Sequence, residues 1–116
     1  MSPRASDGVQ YFPAKSLVLK EDVTGAKMWA VALANTMLTY FDVQPECRFE
    51  SHRHESEQIT LVLEGELFSE ILGQIVRVGT GEVIAIPSNV QHAVFTKETA
   101  VKAVDAWSPI MKSYSE

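Results

Sequence analysis

The sequence contains a single cysteine, Cys47, and no apolar run long enough to cross a membrane. One cysteine cannot form an internal disulfide, so we expect Cys47 to be a small packed side chain in a reducing compartment. Basic residues are scarce and scattered: 10 stand against 15 acidic ones, and the net charge is −5. We therefore expect no binding to nucleic acid or to an anionic membrane surface. No signal-like segment is apparent near the N-terminus, and cytoplasm is the expected location.

What the chain does contain is enough apolar material for one core. Its 116 residues are 46% hydrophobic and 22% charged, which is typical of one globular domain. We expect residues 1–10 to form a flexible polar tail and residues 11–116 to form the domain. Short β-branched and aromatic runs between glycine and proline turns predict an all-β fold, a sandwich or a barrel. A helix over 28–38 is the competing prediction, but the extended character of 39–43 favours strands.

Histidine is scarce too, and the three present are spaced as a candidate metal site. His52 and His54 would leave the same face of an extended segment, about 7 Å apart at the backbone. Gln58 shares their parity, whereas Glu57 should point away. Three imidazoles and an amide oxygen suit a divalent ion among Mn, Fe, Ni, Zn and Co, and residue types alone do not choose among them. The alternative for Gln58 is a simple hydrogen bond to the neighbouring strand.

Two stretches carry a resemblance to a known family. Residues 52–65 read HxHxxEQ followed by a run ending in glycine, and residues 81–92 read G-x5-P-x-N-x2-H. In order and separation they resemble the two motifs of the cupin family, although Glu46 and Asn89 stand where those motifs have glycine. The resemblance implies a single cupin jelly-roll β-barrel, or double-stranded β-helix, that holds a divalent metal and forms a homodimer. The implied metal ligands are His52, His54, Gln58 and His92.

The last predicted strand carries a weaker similarity. Residues 104–109, VDAWSP, resemble the final strand of a cupin subgroup associated with pectin and uronate breakdown. This likeness implies that Asp105 is a catalytic acid/base and that Trp107 contacts substrate. The alternatives are a strand residue bonded to a backbone amide and a core aromatic. Met111 occupies about the position of an arginine in that subgroup. Further candidate substrate-binding residues, from earlier strands, are Arg48, Tyr40 and Met37.

These residues favour a metal-dependent enzyme. Four ligands on a six-coordinate ion leave two positions open for a bidentate small-molecule substrate. We expect a small sugar acid or keto-acid, with uronate ring-opening, isomerase-like or lyase-like chemistry. The alternatives are an Fe(II)-dependent dioxygenase acting on a small diketone or aromatic, and a non-catalytic small-ligand binding protein. An apolar cavity would favour the diketone or aromatic, and a cavity containing Lys112 or Arg48 would favour a carboxylate.

The strand that carries Gln58 has an apolar second face. Alternation puts its apolar residues outside the pocket, where either the N-terminal strand or a second subunit would cover them. These residues are Ile59, Leu61 and Leu63.

Overall fold

Ten β-strands and two 3₁₀ helices make up the regular structure of residues 8–115, the part of the chain that the computed structural model describes. Most of the expected tail, residues 1–7, lies outside the described residues. The 3₁₀ helices are Ala14–Ser16 and Lys112–Tyr114. The strands are β1 (Lys20–Glu21), β2 (Ala26–Ala32), β3 (Met37–Val43), β4 (Arg48–His52), β5 (Glu57–Glu64), β6 (Leu67–Ile71), β7 (Gln74–Val78), β8 (Val83–Ile86), β9 (His92–Thr96) and β10 (Val101–Ser108).

The strands form two antiparallel sheets. One has six strands in the order β1-β2-β3-β10-β5-β8, and the other has four in the order β4-β9-β6-β7. The all-β prediction is confirmed, and strands β2 and β3 replace the competing helix. Strand pairing within the described residues does not join the two sheets, so these strands form a two-sheet arrangement and the expected closed barrel is not confirmed. No helix in this part of the chain is long and apolar enough to span a membrane.

Alternation along the strands divides each sheet into an inner and an outer face. Met28, Phe41 and Val62 of the six-stranded sheet pack with Leu67 and Val78 of the four-stranded sheet in one core. The same alternation buries polar residues on the inner face of the six-stranded sheet. These inner polar residues are Thr39, Gln58, Thr60 and Asp105.

Several turns contain residues with left-handed backbone. Glu46 and Asn89, which replace the glycines of the cupin motifs, have φ values of 58° and 63°. Both positions therefore keep the backbone conformation that favours glycine, although side chains occupy them. Gly65 cannot be replaced by a residue with a side chain, because a Cβ at its φ of 91° would overlap the carbonyl oxygen of Ala100. The β6–β7 hairpin turns through Leu72 and Gly73, both with positive φ.

Candidate metal centre

The three histidines meet between the two sheets. His52 ends β4 and lies opposite His92, the first residue of β9. The ring centroids are 4.5 Å apart for His52 and His92, 5.0 Å for His54 and His92, and 5.2 Å for His52 and His54. One ligand nitrogen from each ring lies within 4.8 Å of those of the others. A single ion at about 2.1 Å from each nitrogen therefore needs only small side-chain adjustments.

An irregularity in β4 brings His52 to the inner face. Phe49 and His52 both line the central cavity although they are three residues apart. In a regular strand, an odd separation places two side chains on opposite faces. The β4–β9 register pairs Phe49 with Val94 and His52 with His92, so β4 contains one extra residue between these pairs. This bulge re-aims the strand and lets an aromatic wall residue and a ligand share one cavity.

The hydrogen bonds of the imidazoles define their tautomers. Nδ1 of His52 lies 2.7 Å from the carbonyl oxygen of Glu50, and Nδ1 of His92 lies 2.8 Å from that of Val90. Nδ1 of His54 makes the same kind of contact, at 2.8 Å, with a backbone carbonyl. A carbonyl oxygen only accepts, so each Nδ1 donates its proton and each Nε2 keeps a lone pair for a metal.

Unpartnered buried atoms test whether this centre fits a metal. Nε2 of His54, Nε2 of His92 and Oε1 of Gln58 are buried and have no hydrogen-bond partner among the described residues. Leaving such atoms unmatched costs about 1–3 kcal/mol each, and Gln58 and His92 line one cavity, so these atoms call for a ligand. Burial also lowers the pKa of His92, which favours the neutral imidazole that a metal needs. The donor set of three imidazoles and an amide oxygen fits a divalent ion.

Asp105 is the buried carboxylate beside these atoms. Thr60 donates to its Oδ1. Thr39 donates to its Oδ2 at 3.1 Å, and Gln58 Nε2 lies 3.4 Å from Oδ1. Burial raises the pKa of Asp105 to about 6, although these donors oppose the shift. Trp107 Nε1 donates to the Thr39 hydroxyl at 2.8 Å and so extends the network by one residue.

A family model described as "Cupin domain" matches residues 39–107. The chain belongs to the cupin family. The match includes both motif stretches and all of β10 except Ser108. Comparison with curated protein sequences finds no match for this cupin.

Solved structures support the same fold. The cupin is similar to KdgF from Halomonas sp., with a TM-score of 0.82 and 20% identity over 90% of this chain and 97% of that one. It is similar to an RmlC-like cupin from Shewanella frigidimarina, with a TM-score of 0.83 and 19% identity over 90% and 94% of the two chains. It is also similar to the polyketide cyclase RemF from Streptomyces resistomycificus, with a TM-score of 0.75 and 21% identity over 87% and 79%. At these identities the likeness is one of fold.

The cavity next to the histidines of this cupin has a mostly apolar wall. Asp105, Gln58 and Trp107 belong to it, as does Ser69, whose buried Oγ has no partner among the described residues. Its wall, within residues 8–115, contains no lysine or arginine, and Lys112 is exposed. The aromatic and larger aliphatic wall residues are Phe41, Phe49, Tyr114, Val43, Leu67, Ile86, Val94 and Val101.

Three residues expected to bind substrate lie elsewhere. Arg48 points outward, because its guanidinium pairs with Glu50 and Glu70 on the exposed face of the four-stranded sheet. Tyr40 is on the outer face of β3 and stacks on Trp29 at 5.6 Å between ring centroids. Met37 is buried but lines a separate cleft under the N-terminal segment. These placements correct the expectation that earlier strands supply Arg48, Tyr40 and Met37 to the pocket.

Several residues that line the cavity or bond to its wall were not predicted from the sequence. Thr60 and Thr39 share the parity of Gln58 and Phe41 on their strands, so alternation could have identified them. Tyr114 gave no such signal, since it follows the last strand in a 3₁₀ helix. Its ring packs edge-on against Phe41 at 5.7 Å and against Trp107 at 5.5 Å. Only the tertiary path of the C-terminal segment brings it to the cavity.

Proposed function

We propose that this cupin is a metal-dependent enzyme acting on a small molecule that chelates the metal through oxygen and is otherwise apolar, such as a keto-acid with a hydrocarbon tail. The observation that carries this proposal is one cavity that joins unpartnered ligand atoms to an aromatic and aliphatic wall. Ligand sites in proteins combine an apolar lining with a few placed polar groups in this way.

The chain's own residues divide the work. His52, His54 and His92 would hold a divalent ion through Nε2, and Gln58 would hold it through Oε1. When bound, the ion supplies Lewis-acid polarisation of a substrate oxygen. Asp105 is the one carboxylate of the cavity wall within the described residues, so in this proposal it moves a proton on the substrate. The indole ring of Trp107 packs edge-on to His54, at 5.4 Å, and keeps water from the ligand side.

The wall argues against a sugar acid as substrate. A polyhydroxylated ring needs many hydrogen-bond partners, and a hydrophobic wall cannot supply them. Ser69 Oγ is the buried hydroxyl of the described wall that has no partner. The Thr60 hydroxyl donates to Asp105, and the Trp107 N–H donates to Thr39. The hydroxyl of Tyr114 is likewise engaged, with Asp22. The described wall contains no lysine or arginine that could pair with a carboxylate of the substrate. Within this wall, the metal would therefore be the positive partner of a substrate carboxylate.

A second candidate function is an Fe(II)-dependent dioxygenase acting on a small diketone or aromatic. The aromatic wall formed by Phe41, Phe49, Trp107 and Tyr114 favours it, since such a wall packs against a flat apolar substrate. The two candidates differ in whether molecular oxygen is a co-substrate. Turnover that consumes oxygen in step with substrate supports the dioxygenase, and undiminished turnover under strict anaerobiosis eliminates it.

The experiment for the main proposal starts from untagged protein. We expect about one divalent ion per chain and turnover of apolar keto-acids that chelator abolishes and metal restores. The matched pair of variants is His92→Ala, which removes a ligand, and Arg48→Ala, which removes an outward-facing cation. His92→Ala should lose metal and turnover, and Arg48→Ala should keep both. Turnover of unsaturated uronates in place of apolar keto-acids would overturn the substrate class. A ligand that stabilises the protein but is recovered unaltered would indicate a binding protein.

The outer face of the six-stranded sheet supports a homodimer as the partner arrangement. Strand register aligns apolar residues in two rows across five strands. Several of these side chains are more than 40% exposed, including Leu38, Ile59 and Val83. Exposed apolar area of this extent is typical of a protein interface. The rows are Trp29, Tyr40, Val104, Leu61 and Val83, and Val31, Leu38, Ala106, Ile59 and Ala85.

The N-terminal segment covers only one side of this face. Leu17 and Val18 lie with Trp29 and Val31 around a shared cleft, while Ile59 on the other side remains 51% exposed. In this proposal a second copy of the chain covers the remainder, and light scattering should report twice the 12.9 kDa of one chain.

A further inference from the structure

The side-chain amide of Gln58 has one satisfied end and one unsatisfied end. Its Nε2 donates to Thr60 Oγ1 at 3.0 Å and lies 3.4 Å from Asp105 Oδ1. Its Oε1 is buried and has no partner among the described residues. The two ends of an amide are nearly equal in shape, so the neighbouring hydrogen bonds decide which end faces the metal centre.

The direction of each hydrogen bond follows from the groups in the network that can only donate or only accept. The indole N–H of Trp107 can only donate, so the Thr39 hydroxyl accepts it and turns its own proton to Asp105 Oδ2. Thr60 likewise donates to Oδ1 and is left with a lone pair for Gln58. The site next to Gln58 therefore presents acceptors alone, a carboxylate oxygen and a hydroxyl lone pair. A flipped amide would place Oε1 against both and lose two hydrogen bonds.

We propose that Asp105 is a positioning residue that holds the Gln58 amide with its nitrogen bonded inward and its oxygen free for the metal. This inference rests on the proposed metal site and adds a role to Asp105 that does not require contact with substrate. It parallels the arrangement of the histidines, where a carbonyl oxygen holds each Nδ1 and frees each Nε2. An outer hydrogen bond of this kind typically contributes 10–100-fold to metal affinity.

The test exploits the opposite demands of an amide and a carboxylate at position 58. Asp105→Asn offers an N–H to Gln58, so the amide can flip and turn its nitrogen towards the metal. Gln58→Glu presents only carboxylate oxygens to residue 105. An asparagine at 105 can donate its N–H to them, whereas an aspartate repels them. Asp105→Asn should therefore lower metal affinity in the wild-type background and raise it in the Gln58→Glu background, at least about tenfold in each case. This reversal of sign is what a general structural role or a purely proton-transferring role would not produce.

The measurement is Zn²⁺ affinity by chelator competition at about pH 8 on four proteins: wild type, Asp105→Asn, Gln58→Glu and the double variant. Glu57→Gln is the matched control, because it makes the same carboxylate-to-amide change as Asp105→Asn. Glu57 precedes Gln58 and lies on the exposed side of β5. It should leave Zn²⁺ affinity unchanged. Equal effects of Asp105→Asn in both backgrounds, or none in either, would overturn the inference.

A metal-free readout separates this inference from the proposed function. In the apo protein, the Gln58 side-chain amide protons should be resolved by ¹⁵N NMR and protected from exchange. Asp105→Asn should change both their chemical shifts and their protection. If wild-type protein binds no Zn²⁺ but the amide protons are protected, the proposed metal site fails while Asp105 still orients the Gln58 amide. If Zn²⁺ binds but the amide protons exchange freely, the positioning role fails alone. Wild-type spectra answer the question even where a variant does not fold.

Discussion

Around Gln58, the two faces of the six-stranded sheet reverse the usual distribution of polarity. On β5, the inward residues Gln58 and Thr60 are polar and buried, whereas the outward Ile59 and Leu63 are apolar and about half exposed. Buried polar groups cost free energy unless they are paired, and exposed apolar area is unfavourable in water. Each face therefore carries residues that the fold alone does not need. The comparison supports the proposals that the inner face binds a ligand and that the outer face binds a second copy of the chain.

The largest expected effect comes from removing a ligand on the inner side. His92 is 1% exposed and faces both other histidines, so His92→Ala should weaken Zn²⁺ binding by at least about a hundredfold. The loss follows because two imidazoles and an amide hold an ion much less tightly than the full set. Chelator should lower the melting temperature of wild type, which loses its bound metal, and leave that of His92→Ala unchanged. Equal shifts for both proteins would place the stabilising ion elsewhere.

The next effect tests the outer face. Lysines at two positions of one apolar row, Leu38→Lys with Ile59→Lys, should weaken self-association at least about a hundredfold, because a dimer would bury two charges per chain. Light scattering across a dilution series measures the change. The matched control is Leu72→Lys with Ile75→Lys on the β6–β7 hairpin, which adds the same charge at exposed apolar positions. Dimers that survive the first pair, or dissociate with the control, would remove the outer face from the interface.

A smaller effect compares one substitution on both faces. Val62 is fully buried in the core, and Val83 on β8 is 57% exposed. Val62→Ala leaves a cavity and should cost about 1–3 kcal/mol, whereas Val83→Ala should stay within about 0.5 kcal/mol. Urea unfolding at low protein concentration measures both free energies of unfolding without a contribution from self-association. A larger loss at Val83 would show that the outer face is packed within a single chain.

The smallest expected effect is stabilising. Leu72 has a φ of 51° in the β6–β7 turn and is 86% exposed, so its side chain contributes little packing to offset the left-handed backbone. Leu72→Gly should raise the free energy of unfolding by about 0.5–1 kcal/mol. The control is Leu33→Gly, which is exposed but not among the positive-φ residues and should not gain stability. A destabilised Leu72→Gly protein would contradict the strain argument.

Much of the fold was accessible from residue patterns. The extended character of 39–43 predicted a strand there, and alternation from Gln58 predicted the faces of β5, with Glu57 outward and Gln58 inward. The period of two is a local property of extended backbone, so it can be read without knowing what a strand packs against. Arg48 shows where this reasoning stops. A cation on a strand next to the histidines is a reasonable pocket candidate, but its guanidinium pairs with Glu70 of β6 on the outer face of the same sheet.

By itself, the sequence determined the all-β class, the two-residue spacing of His52 and His54 and the parity of Gln58, because each depends on neighbours along the chain. Tertiary structure alone decided that His92 lies opposite His52, that a bulge turns Phe49 and His52 to one side, and that Tyr114 reaches the cavity. It also decided that Asp105 bonds Gln58. These contacts join residues tens of positions apart, and strand register and chain path set them in ways that no local pattern records.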